Sequence, residues 1–172
     1  MTTIANASYA VPHSRPRHLA AIFCAWIVAG TFDISDAIIY YRVARGVHPS
    51  RLLQNIASGV IGQRAFAGGW PDALLGLALH YLIALGATIV FYLLSRKIWF
   101  MTRHAVAAGL IYGLGVYLFM NFVVLPNTGF SHPRVPTSPI LWITLINAIL
   151  AVMICVGLTI SLIVRRISPK TA

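Results

Sequence analysis

The sequence predicts an all-α protein: a transmembrane four-helix bundle with an additional short helix, interfacial or re-entrant, between spans one and two. Three observations predict it. Hydrophobic residues fill 59% of the 172 positions and charged residues only 9%, where a soluble domain carries about 25% charged. The apolar residues gather into four runs of about 21 to 25 residues, long enough for a ~30 Å hydrocarbon core. Between the first two runs lies a half-polar stretch too short to cross. The length suits one membrane domain, residues 19–166, between a flexible basic N-terminus (1–18) and a short C-terminal tail (167–172).

The lead-in holds Pro12, Arg15, Pro16 and Arg17. The first span covers 19–41 and ends on Tyr40 and Tyr41, the aromatic pair expected at a membrane boundary. Its apolar core, about 23 residues, is too long for the h-region of a cleavable signal and has no A-x-A exit, so it is expected to stay as a signal anchor. After the polar turn 42–49, Ser50 reads as a helix N-cap. Residues 51–66 then form the non-spanning helix. Leu52, Ile56 and Val60 mark its apolar stripe, and Gln54, Asn55, Ser58, Gly59 and Gly62 its small or polar side. Ser58, Gly59 and Gly62 are expected to pack against the spans.

Pro71 sits in the first turn of the second span, 73–94, which contains His80. The stretch 95–103 reads as a tight loop with Arg96, Lys97 and Arg103. The third span, 105–125, carries Gly109 and Gly113 in a G-x-x-x-G packing pattern, followed by Gly115. Pro126 stops it. Ser138 and Pro139 supply the cap and first residue of the fourth span, 140–164.

The net charge of +10 reflects three acids rather than abundant bases. No run of five or six bases suggests nucleic acid as a partner. The bases instead report topology. With the N-terminus inside, eight bases lie on inner segments and five on outer ones, which predicts cytoplasmic termini. Cys24 and Cys155 sit in apolar runs outside any C-x-x-C motif and read as buried thiols.

The run Ile56 to Arg96, IASGVIGQRAFAGGWPDALLGLALHYLIALGATIVFYLLSR, resembles a segment of small, uncharacterised bacterial inner-membrane proteins with four predicted helices. More distantly, its glycine-rich helix and intramembrane histidine, together with the short proline-containing outer loop, resemble the YagU-like membrane proteins. The resemblance implies a multi-pass protein of the bacterial cytoplasmic (inner) membrane. It implies no substrate.

No Walker loop, G-x-S-x-G, H-E-x-x-H or C-x-x-C-H motif is present, so no catalytic residue and no cofactor is predicted from motif. Asp33, Asp36 and His80 could still supply acid–base groups to an enzyme acting on lipid or quinone, without a nucleophile or phosphate-binding motif beside them. What remains is polar residues at depth. A carboxylate inside a spanning helix costs at least a few kcal/mol, and Asp33 and Asp36, at i and i+3, share one face of the first span. Counted from the outer helix ends, Asp33, His80, Tyr117 and Asn147 lie about 10 to 12 Å deep, with Asp36 and Asn121 at about 6 to 8 Å. The inner half offers Cys24, Cys155, Thr159 and Ser161. The expectation is a proton or cation site of Asp33, Asp36, His80, Tyr117 and Asn147. Asp33 would face His80, and the two would titrate as a coupled pair. The same residues can also be read as purely structural contacts, with Arg64 reaching in. Two further readings stay open. A haem or metal site would use His80, or Asp33, Asp36, His80 and His132. An accessory subunit would present its glycine faces to a second copy or another membrane protein.

Overall fold

The computed structural model describes residues 15–128 and 138–167. Four helical stretches are long and apolar enough to span: Arg17–Arg45, Trp70–Lys97, Ala105–Asn127 and Pro139–Ile167. Among the described residues there is no strand. The fold is an all-α transmembrane bundle.

Helix α1 (Arg15–Arg45) is one unbroken rod. It takes in the last basic residues of the expected lead-in, whose residues 1–14 lie outside the described set, as do residues 168–172 of the tail. After a turn at Gly46, where φ is +66°, α2 (Pro49–Ile61) begins. Its cap is His48 rather than Ser50: the His48 Nδ1 accepts the Ser50 amide at 3.4 Å and pairs with the Ser50 hydroxyl at 2.8 Å. Pro49 takes the first helical position, where its missing N–H costs nothing. A 3₁₀ turn (Gly62–Phe66) returns the chain to α3 (Gly69–Lys97).

The expected loop 95–103 is mostly helical, because α3 runs on to Lys97 and a short helix α4 (Trp99–Arg103) follows. Helix α5 (Ala105–Phe119) continues through a π turn, Met120–Val124, into the 3₁₀ turn Leu125–Asn127. The last span comprises α6 (Pro139–Ala151), a π segment (Val152–Leu158) and α7 (Thr159–Ile167). Within it the Thr159 hydroxyl donates to the Ile154 carbonyl at 3.2 Å, five residues back, matching the π register.

Small residues set the packing. In lipid there is no hydrophobic gain in bringing apolar helices together, so close backbone approach and polar contacts hold the bundle. A Cβ at Gly109 would lie 2.8 Å from the Leu158 Cα, one at Gly113 2.5 Å from the Met153 Cα, and one at Gly157 would meet the Gly109 carbonyl oxygen. Around this crossing lies the core nearer the chain termini: Ala25, Ala29, Phe91, Met101, Ala108, Val156, Ile160 and Val164. A second core, towards the α2 end, joins Ile34, Leu53 and Ala73. Large side chains such as Phe23, Ile111 and Phe122 point outward, as a lipid-facing surface requires. Cys24 also faces outward and Cys155 is half-buried, so neither is the enclosed thiol expected.

Helix α2 lies along α3 and buries Leu52, Leu53, Gln54, Ala57 and Ser58. The glycine that admits it is Gly76 of α3, whose Cβ would meet the Leu53 carbonyl oxygen. Ser58 is buried in this face, whereas Gly59 is only half-buried. Gly62 does not pack: it ends α2 at φ +67°, and a Cβ added there would meet nothing within 4 Å. That conformation needs glycine. Gln54 donates to the Gly69 carbonyl at 2.9 Å, and Arg51 lies 4.1 Å above the Phe66 ring, closing the α2–α3 hairpin.

Candidate functional site

At the terminal end α1 packs closely against α7, but towards the α2 end it diverges from α6. The gap between them is a cavity of 170 Å³. With a water occupying about 30 Å³ in the liquid, it has room for several. Its lining follows one rule on both walls. Asp33, Asp36, Ala37, Tyr40 and Tyr41 come from α1, Thr144, Asn147, Ala148 and Ala151 from α6, and Val152 from the start of the π segment. Each set is spaced i, i+3, i+4, i+7, i+8, one face of a helix. The alanines leave the space and the polar residues occupy its rim.

Two hydrogen bonds cross the gap. The Asn147 amide donates from Nδ2 to Asp36 Oδ2 at 3.0 Å. Nearer the α2 end, the Tyr40 and Thr144 hydroxyls are 2.8 Å apart. Thr144 also donates to the Ile140 carbonyl at 2.7 Å. A hydroxyl has one proton, so Tyr40 must be the donor across the gap. Asp33 accepts no hydrogen bond from the described protein. Because no buried side-chain oxygen there lacks a partner, its carboxylate oxygens must reach accessible space. Asp33 is itself one of the residues lining the cavity.

The hydrogen-bond partner of His80 is a backbone carbonyl. His80 Nε2 bonds the Gly30 carbonyl at 2.9 Å, and no hydrogen bond or ion pair joins the ring to the carboxylate. A carbonyl only accepts, so Nε2 carries a proton and donates it. Gly30 offers its carbonyl there because α1 and α3 cross closely at this point: a Cβ on Gly30 would lie 3.0 Å from the Tyr81 ring. Trp26 Nε1 donates to the Tyr81 carbonyl at 2.6 Å, and the Tyr81 hydroxyl meets Thr31 at 2.8 Å. His80 thus belongs to the α1–α3 seam rather than to the cavity wall. His80 and Asp36 both lie within electrostatic range of Asp33, and Cys155 lies within electrostatic range of both acids.

Tyr117 does not line the cavity; it stands within electrostatic range of Tyr41. Asn121 turns back to the Tyr117 carbonyl at 2.9 Å. Arg64 is exposed on the 3₁₀ turn, and α2 contributes nothing to the cavity lining, so it does not cap it.

The terminal half holds more polar contacts than expected. Tyr112 donates to the Ala87 carbonyl at 2.6 Å, Thr88 to Ala84 at 2.8 Å, and Ser161 to Ala105 at 2.7 Å. These are hydroxyls bound to carbonyls. What distinguishes the α2-end half is a cavity lined by carboxylates. Tyr40 and Thr144 were not among the expected site residues, although Tyr40 lies four residues after Asp36 and Thr144 three before Asn147.

Among the described residues no three of His, Cys, Asp and Glu come close enough to hold a metal ion; His132 lies outside them. No family model, characterised protein or solved structure matches the chain.

Proposed function

We propose that the protein handles a proton or small cation at the cavity between α1 and α6. One observation carries this reading: the cavity sits in a membrane bundle, and both Asp33 and Asp36 line it with no basic side chain. Two carboxylates in one low-dielectric space stay ionised together only when a cation joins them, and otherwise one of them takes up a proton. Asp36 is held by Asn147, while Asp33 presents oxygens that no protein donor occupies. Asp33 is therefore the group that takes the proton or ion, and Asp36 its oriented neighbour. His80 tunes Asp33 from the adjacent seam without touching the ligand.

The membrane is the bacterial cytoplasmic membrane, on the resemblance of residues 56–96, with both termini cytoplasmic on the balance of bases. The cavity then opens towards the periplasmic half. The accessory-subunit reading has less to stand on, because Gly109 and Gly113 face Gly157 of the same chain.

The test is flux in sealed proteoliposomes with a trapped pH dye, repeated with sodium and potassium gradients. Wild type is expected to dissipate one of these gradients. Asp33→Asn, nearly isosteric, should fold with an unchanged melting temperature and lose that flux. Flux equal to wild type in Asp33→Asn would overturn the reading, as would no flux of any ion in wild type.

A further inference from the structure

A second cavity opens at the opposite, terminal end of the bundle, remote from the carboxylates. It has a volume of 440 Å³ and is lined by Arg103, His104, Ala105, Val106, Ala107, Leu110 and Arg165. Two separate helical stretches bring its charges together: Arg103 closes α4, and Arg165 lies in the last turn of α7. Arg103 is held 4.5 Å above the Trp99 ring, and His104 packs against Phe100 with ring centres 5.2 Å apart. The bases are thus placed before any ligand arrives. Below them Val106, Ala107 and Leu110 form an apolar wall running into the span.

Among the described residues these arginines have no acidic counterpart. The chain contains three acidic side chains. Asp33 and Asp36 line the other cavity, and Asp72 sits in the first turn of α3, at the α2 end. Uncompensated bases at a membrane boundary attract an anion from outside the chain. The start of α5 adds to this, since no side chain caps it and its first amides favour negative charge.

We propose that this groove binds the headgroup phosphate of an anionic phospholipid. Arg103 and Arg165 pair with the phosphate, and one acyl chain lies along Val106 and Leu110. The charge selects the headgroup. The apolar wall below selects a lipid over a soluble phosphate. The site is independent of the carboxylate cavity, and it stands in whichever leaflet the termini face.

The test is native mass spectrometry of the detergent-purified protein titrated with phosphatidylglycerol, phosphatidylcholine or inorganic phosphate. Wild type should retain one phosphatidylglycerol in preference to phosphatidylcholine. The Arg103→Gln/Arg165→Gln variant should bind it about thirtyfold more weakly, the loss expected of two surface bases. Arg42→Gln/Arg45→Gln removes the same charge at the other end of the bundle and should bind as wild type does. Equal losses in the two variants would mean net charge alone attracts the lipid, and would overturn the site. Retention of phosphatidylcholine to the same extent, or displacement of the lipid by phosphate alone, would also overturn it. Val106→Glu leaves both arginines in place and sets an acid in the wall. It should abolish retention, and retention undiminished there would count against the groove even if the double variant did not fold.

Discussion

Asn147 on α6 donates its side-chain amide to the Asp36 carboxylate on α1 at 3.0 Å, across helices separated by 111 positions in sequence. It is a side-chain contact to a carboxylate inside the bundle, and it ties the α1 wall of the cavity to the α6 wall. Asn147→Ala should lower stability by about 1 kcal/mol, within the ~0.6 to 1.7 kcal/mol measured for interhelical polar contacts. A double-mutant cycle with Asp36→Asn isolates the pair. Additive effects in that cycle would show that the two side chains do not interact.

The His80 ring has two separable roles. Its Nε2 holds the Gly30 carbonyl, and its ring lies within electrostatic range of Asp33. Glutamine can still donate to the carbonyl; leucine cannot. His80→Gln is expected to melt with wild type, whereas His80→Leu should lose about 1 kcal/mol for the unmade interhelical bond. Thermal unfolding in one detergent checks both. If the two variants melt alike, the Gly30 bond contributes nothing to assembly.

Helix α2 is seated by Gly76. Gly76→Leu drives a side chain into the Leu53 backbone, which cannot swing away as a side chain would. Overpacking of this kind costs about 1 to 3 kcal/mol, and α2 should become sensitive to protease. Gly86→Leu, where nothing lies within 4 Å of an added Cβ, serves as the control and should be near neutral. Gly59→Leu, at a half-buried position of α2, should fall between the two.

Topology is checked at residue 98, between α3 and α4. In a Cys24→Ser/Cys155→Ser background, Ile98→Cys should resist a membrane-impermeant thiol reagent in intact cells and react once the membrane is opened. Labelling of intact cells would place the termini outside and reverse which leaflet each cavity faces.

Much of this was legible from composition and length. A backbone in hydrocarbon must satisfy its own hydrogen bonds, so four apolar runs of spanning length can only be helices. The half-polar stretch 51–66 cannot cross, and becomes α2 with its 3₁₀ turn. Depth was legible too, because the helix rise is constant. It put Asp36 and Asn147 in the same half of the bundle, and they touch. Azimuth was not legible. A spanning helix is apolar on nearly every side, so α3 and α5 carry no polar face to mark which way each packs. For that reason the hydrogen bond that His80 makes to a backbone carbonyl was not foreseen. The carbonyl of Gly30 is invisible in a list of side chains, and only the close α1–α3 crossing exposes it.

Residue type and spacing alone determined that the protein spans a membrane four times and that two carboxylates share one face of α1. The tertiary structure decided what those carboxylates face. Whether a polar residue borders a cavity or a packed seam depends on how far two helices diverge. That divergence is set by small residues elsewhere along the chain: Gly109, Gly113 and Gly157 draw α5 onto the π segment, and Ala37, Ala148 and Ala151 leave the gap at the α2 end open.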